Sequence, residues 1–151
     1  MRTQISVIGG SKPLSWALEA AEEVGHLIAR NGAILICGGM GGVMEAACKG
    51  AKSEGGFTVG IIPYYEKERA NSYLDIVIPT GLGLSRNTIV VASGDAVIAI
   101  DGYWGTFSEI ALAKNLGKGI VALGVNYDFA GIEYADTPEE AVKIAFDLIN
   151  G

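Results

Sequence analysis

The sequence predicts an α/β fold: a Rossmann-like, doubly wound parallel sheet of about six or seven strands flanked by helices, as a single domain over residues 1–151. Three observations predict it. Short apolar runs ending in glycine alternate with stretches of helical periodicity, the pattern of βα units feeding a parallel sheet. Hydrophobic residues make up 50% of the chain and glycines number 22, while the charged fraction of 19% is below the roughly 25% usual in soluble proteins, a balance that suits strands buried on both faces. A chain of 151 residues is long enough for one sizeable core and too short for two.

Ile5 to Ile8 reads as the first strand. After Gly9-Gly10-Ser11, residues Leu14, Leu18, Ala21, Val24, Leu27 and Ile28 recur at helical spacing until Asn31-Gly32 stops the helix. Ala33 to Cys37 is the second strand, and a helix from Gly42 to about Glu54 presents Val43, Met44, Ala47 and Ala51 on one face. Phe57 to Ile62 is the third strand. Pro63 through Ser72 is polar and carries Tyr64 and Tyr65, an exposed loop in the position of a lid. Ile76 to Ile78 is a short fourth strand, followed by the turn Thr80-Gly81-Leu82-Gly83 and a helix over Ser85 to Ser93. Ala96 to Ile100 is the fifth strand, ahead of a loop and an alanine-rich helix; Ile120 to Leu123 is the sixth. A last helix opens at Pro138, after Asp136-Thr137, and ends near Ile149.

The formal net charge of −6 and the absence of any lysine or arginine run argue against a nucleic-acid partner, since backbone phosphates call for clustered positive charge. No leader precedes the first strand and no apolar stretch approaches the about 18 residues of a membrane span, so the protein is expected in the cytoplasm with no membrane partner. Cys37 and Cys48 are far apart for a redox pair and lack the further ligands of a zinc site. They read as two buried thiols, with no metal site.

In a parallel sheet the loops after strands one, two, four and five gather along one edge, the expected ligand crevice. Glycine there lets the backbone approach a ligand, and free N–H groups at a helix start attract phosphate. The candidates are Gly9, Gly10, Ser11, Gly39, Gly41, Gly42, Gly83, Gly102 and Gly105. Neither Gly9-Gly10-Ser11-Lys12-Pro13 nor Gly39-Met40-Gly41-Gly42-Val43-Met44 has the dinucleotide spacing, and no acidic residue follows about 20 positions later to hold an adenosine ribose. No Walker triplet occurs, so no NAD, ATP or other standard cofactor is implied.

The run Gly102-x-x-Gly105-Thr106-x-x-Glu109, with Arg86 upstream, resembles the signature of the LOG family. Gly38-Gly39-Met40-Gly41-Gly42-Val43-Met44-Glu45-Ala46-Ala47 is similar to its second glycine loop, and Gly55-Gly56 also fits. Members are often labelled lysine decarboxylases. That label has no support here, since no Schiff-base lysine in a pyridoxal fold is found. The resemblance implies hydrolysis of the N-glycosidic bond of nucleoside 5′-monophosphates to base and ribose 5-phosphate, with Arg86 and Glu109 as the catalytic pair and Gly105 and Thr106 holding phosphate at a helix start. It also implies a homodimer or homotetramer.

The chain departs from the hydrolase pattern at two places. Asp101-Gly102-Tyr103 stands where proline-glycine-glycine is usual, and Asn87 where a lysine follows the arginine. Asp101 would meet ribose hydroxyls or a metal. Arg86-Asn87, Trp104 and Ser108 look more like the branch of molybdenum-cofactor carrier proteins, which bind a pterin-type ligand without turnover; the wider group includes the DNA-processing, DprA-related proteins. Two functions therefore stand together, a phosphoribohydrolase and a non-catalytic carrier of a nucleotide or molybdopterin-type ligand.

Ordinary structural roles compete at several of these positions. Thr106-x-x-Glu109 also spells a capping box, Arg86 an ion-pair partner, and His26, Met40 and Met44 packing or scaffold residues. Trp104, Tyr64, Tyr65 and Tyr103 either stack on a base or bury a subunit contact. Glu45 reads as a helix-start charge.

Overall fold

The computed structural model describes all of residues 1–151. Seven strands, β1 (Gln4–Gly9), β2 (Ile34–Cys37), β3 (Phe57–Ile62), β4 (Ile76–Pro79), β5 (Ala96–Ile100), β6 (Gly119–Leu123) and β7 (Glu133–Ala135), form one parallel sheet in the order β4-β3-β2-β1-β5-β6-β7. Five helices connect them: α1 (Ser15–Arg30), α2 (Val43–Ser53), α3 (Arg86–Ser93), α4 (Trp104–Asn115) and α5 (Pro138–Asn150).

The chain winds outward from β1 in both directions, to β2 on one side and β5 on the other. Helices α1, α2 and α5 cover one face over the larger core, built around Ile5, Val7, Leu35, Ile98 and Ile100; α3 and α4 cover the other face over Ile8, Ile36, Val97 and Ile120. Alternate residues of β1 and β5 thus point into different cores, which is why β5 reads as an unbroken apolar run; in β1 the run is interrupted by the buried Ser6, whose hydroxyl donates to the Val90 carbonyl (2.6 Å). No helix is long and apolar enough to cross a membrane.

Helices α1 and α2 approach so closely that two glycines are required at the crossing. A Cβ on Gly25 would sit 1.8 Å from the Ala47 carbonyl oxygen, and one on Gly50 would sit 1.8 Å from that of Glu22. Beside the crossing, His26 Nε2 meets Glu54 Oε1 at 2.7 Å and its Nδ1 meets Ser53 Oγ at 3.2 Å, so His26 ties α1 to the end of α2. At α5, Thr137 Oγ1 accepts from the Glu140 amide (3.2 Å) while Glu140 Oε2 accepts from the Asp136 amide (2.9 Å), a relative of the capping box in which the return bond reaches the residue before the cap.

Two features differ from the sequence expectation. The segment Glu133–Ala135, which has no apolar run of its own, becomes β7 by pairing with Val121 to Leu123. The expected lid, Pro63 to Ser72, is tied down. It contains a 3₁₀ turn, Lys67–Arg69, its Asn71 amide donates to the Gly39 carbonyl (2.9 Å), and Asn71 Nδ2 donates to the Met40 carbonyl (3.0 Å).

Candidate functional site

Because the chain leaves β1 and β5 in opposite directions, a crevice opens beyond their carboxyl ends, where Gly9 is level with Ile100. It is a cleft of about 490 Å³. The β1–α1 loop contributes Gly9, Gly10, Ser11, Lys12 and Pro13; the segment after β5 contributes Asp101, Gly102, Tyr103, Gly105, Thr106 and Glu109. Val7 and Ile8 of β1, with Gly38, Met44, Leu84 and Arg86, complete the lining, so the loops after β1, β2, β4 and β5 do converge.

Arg86 is the first residue of α3 and only 8% exposed. Its fork is held by three acceptors: Nε donates to the Ile61 carbonyl (3.0 Å), Nη2 to the Gly38 carbonyl (3.3 Å), and Nη1 to Asn87 Oδ1. A guanidinium has five N–H donors, so a fixed head still has hydrogens for a ligand. Burial pulls its pKa below the ordinary value, against the attraction of Glu109. The cation is therefore oriented by protein carbonyls and an amide; none of the five ion pairs of the structure involves it.

Glu109, on α4, has its pKa raised from 4.5 to about 7, because burial disfavours the carboxylate more than the charge of Arg86 favours it. A carboxyl half-protonated near neutrality can both donate and accept a proton there. Above it, the first turn of α4 is open. The earliest amide bonded to the helix backbone is that of Phe107, which donates to the Tyr103 carbonyl (2.9 Å), leaving the amides of Trp104, Gly105 and Thr106 free to meet an anion.

Thr106 is the third residue of α4, not its cap. The cap position is Tyr103, which makes no side-chain capping bond, so the capping box expected from Thr106 and Glu109 does not form. The reason lies in the turn before it. Asp101, the one non-glycine residue with positive φ (54°), and Gly102 (φ 119°) turn the chain so sharply that the helix starts earlier. Thr106 packs on Gly102, where a Cβ would lie 2.1 Å from its Oγ1.

Of the residues singled out in the sequence, Gly9, Gly10, Ser11, Arg86, Asp101, Gly102, Gly105, Thr106 and Glu109 come together. Gly39, Gly41, Gly42, Gly83 and Asn87 do not line the cleft. Gly39 is buried against Ile62 and Gly60, Gly42 packs on the Gly10–Ser11 backbone, and Asn87 sits beneath Arg86 as its acceptor. Lys12, Pro13 and Leu84 line the cleft without having been selected as site residues; of the four aromatics weighed for stacking only Tyr103 lines it, and Met44 contributes to it beyond packing. Lys12 had one visible signal, its place directly after the first glycine turn. Tyr64, Tyr65 and Trp104 stay outside; Tyr65 covers Gly81, and Trp104 meets Phe107 edge-on at 5.8 Å in an aromatic group with Tyr127 and Phe129.

The thiols correct a further expectation. Cys37 and Cys48, distant in sequence, are buried with their sulfurs 3.5 Å apart.

A model of the SLOG cluster4 family matches residues 2–146. The molybdenum cofactor binding protein of Rippkaea orientalis superposes with a TM-score of 0.93 at 34% identity, over 99% of this chain and 98% of that one. The molybdenum cofactor carrier protein of Chlamydomonas reinhardtii does so with a TM-score of 0.93 at 32% identity, over 100% of both. A cytokinin riboside 5′-monophosphate phosphoribohydrolase of Mycobacterium tuberculosis is 39% identical over 97 residues, 62% of this chain and 51% of that protein.

Proposed function

The chain belongs to the SLOG cluster4 family, and from that premise we propose that it binds and carries a phosphorylated small molecule of nucleotide or pterin type in the cleft at the β1–β5 switch point. The observation that carries this reading is Arg86, locked by three acceptors beside the open first turn of α4. A fixed guanidinium and unpaired helix amides recognise phosphate without rearrangement. In this reading Gly105 and Thr106 offer their amides, Gly9, Gly10 and Ser11 let the ligand lie against the backbone, and Lys12 supplies a second cation at the rim. Asn87 positions Arg86, and Asp101 meets hydroxyl or ring N–H donors. Whole-length likeness to a molybdenum cofactor binding protein and a molybdenum cofactor carrier supports the carrier role.

A second reading, hydrolysis of nucleoside 5′-monophosphates, is favoured by Glu109 lining the same cleft as Arg86, where burial raises its pKa to about 7. Water adding across the C1′–N bond gives free base and ribose 5-phosphate. A protonated Glu109 can hand its proton to the leaving base, and the carboxylate then balances positive charge on the ribose. The partial match to the phosphoribohydrolase points the same way.

Incubation with a panel of nucleoside 5′-monophosphates, read for free base by chromatography and for thermal stabilisation, separates the two. Stabilisation without base release is expected. Base release that is lost in Glu109→Gln would replace carrier with hydrolase, and absence of both would sink both readings. Exposed Leu82, Leu84 and Ile89 support self-association into a dimer or tetramer, which light scattering checks.

A further inference from the structure

We propose that Cys37 and Cys48 are a redox pair, which an oxidant of the peroxide class joins in a disulfide that re-sets the glycine loop anchoring Arg86. Cys37 is the last residue of β2 and Cys48 lies midway along α2, and the fold places their sulfurs 3.5 Å apart. A disulfide needs about 2.05 Å, so closure brings the sulfurs about 1.5 Å nearer within a packed strand–helix contact. No third His, Cys, Asp or Glu groups with them, so the pair lacks the ligands of a zinc site and the chemistry open to it is between the two sulfurs.

The pair is also chemically asymmetric. Hydrogen bonding with Cys48 pushes the Cys37 thiol down, helped by the Gly39 amide and the field of Arg86 and opposed by burial; the same bond, with burial, pushes Cys48 up. The Gly39 amide bond to Cys37 Sγ (3.3 Å) and the nearby Arg86 cation both favour a thiolate at Cys37, which makes it the nucleophile and Cys48 the resolving thiol. The Cys37 thiolate attacks one peroxide oxygen, the O–O bond breaks, and the departing hydroxide takes up a proton, leaving a sulfenic acid. The Cys48 sulfur then attacks the Cys37 sulfur, the S–O bond breaks, and the hydroxyl leaves as water with the Cys48 proton. Two thiols and one hydrogen peroxide become one disulfide and two waters. Both sulfurs are buried, so the rate is set by local opening of the strand–helix contact.

The link to the cleft is short. The Gly39 amide donates to Cys37 Sγ (3.3 Å), and the neighbouring Gly38 carbonyl accepts from Arg86 Nη2 (3.3 Å). Drawing Cys37 Sγ toward Cys48 weakens the first bond and shifts the second, so Arg86 loses one of its three acceptors.

The test is hydrogen peroxide applied to the full chain just below its unfolding temperature, followed by denaturing alkylation, intact mass and amide exchange. Expected are a loss of two hydrogens, protection of Cys37 and Cys48 from alkylation, reversal by dithiothreitol, and altered exchange across residues 38–44. Cys48→Ser should instead trap a dimedone adduct on Cys37, and Cys37→Ser should form no bond. Alkylatable cysteines after oxidation, oxygen addition alone, a link between two chains, or a disulfide with unchanged exchange at 38–44 would each overturn the proposal. Ribose 5-phosphate should bind the oxidised form about fivefold more weakly, and equal binding to both forms overturns the link to the cleft. If neither form binds it, the proposed function fails, while mass and exchange still decide this inference.

Discussion

Replacing Glu109 with glutamine should stabilise the protein at neutral and higher pH, by an amount set by the carboxyl's surroundings. A pKa raised from 4.5 to about 7 means that the folded state holds this proton more tightly than the unfolded chain does. Between those values the folded protein binds more protons, so stability falls as pH rises through the window and levels off above about pH 7. At about 1.36 kcal/mol for each pH unit, the ionised carboxylate costs the native state about 3 kcal/mol. Glutamine keeps the shape and does not ionise. The difference in stability between Glu109→Gln and the parent should be near zero below pH 4.5 and approach about 3 kcal/mol at pH 8, a rise in Tm of about 6–12 °C for a chain of this length. Thermal unfolding of both proteins across this pH range measures it. A difference that stays flat with pH, or a variant less stable at pH 8, would refute the claim that burial outweighs Arg86 at this carboxyl. Loss of a helix cap cannot mask the effect, because Glu109 makes no capping bond.

Three further substitutions probe the support of the cleft. Asn87→Lys places a second cation against the buried Arg86 guanidinium; it should lower stability by more than about 1 kcal/mol and raise no base release, which denaturation and chromatography check. Gly102→Ala forces a Cβ to 2.1 Å from Thr106 Oγ1 at φ 119°. It should cost about 1–3 kcal/mol and abolish binding of ribose 5-phosphate by calorimetry. Asp101→Asn keeps a residue that tolerates the left-handed backbone and removes a negative charge from the cleft, so phosphate-bearing ligands should bind more tightly, with a smaller gain at high salt. Unchanged affinity would place Asp101 away from the anion.

Much of the fold was legible because strand boundaries coincide with composition changes. Phe57–Ile62 and Ala96–Ile100 have the bounds expected from apolar runs set off by Gly56, Pro63, Asp95 and Asp101. Strand β7 was not legible: Glu133-Tyr134-Ala135 is an edge strand defined by its pairing with β6, with no buried run to announce it. At the site, the resemblance to the LOG signature paired Arg86 with Glu109, and the fold sets both in one cleft, but the sequence misjudged residues whose role depends on direction. Asn87 follows Arg86 in the chain, yet α3 turns it under the guanidinium instead of toward the cleft. The start of α4 depends on the backbone at Asp101 and Gly102, which motif spacing does not encode. The nearness of Cys37 and Cys48 arises only when α2 folds back over the end of β2.

The charge balance of the cleft shows why two readings share one site. Arg86 and Lys12 face Asp101 and Glu109, so the charged side chains of the lining cancel whenever both acids are ionised. With Glu109 protonated the lining carries one net positive charge, and an anion meets both that charge and the free amides of α4. Binding a phosphorylated ligand therefore favours the protonated carboxyl, against the pull of Arg86 toward the carboxylate. The state that best holds the anion is also the state that can donate a proton to a leaving base. A carrier and a hydrolase built on these residues consequently differ in what the ligand presents to Glu109 Oε: a glycosidic nitrogen able to accept the proton, or a ring system with no such leaving group. Proton uptake by Glu109 near pH 7, measured by calorimetry in two buffers of different ionisation enthalpy, should accompany binding in both cases, and Glu109→Gln should leave only the proton exchange of the ligand phosphate itself.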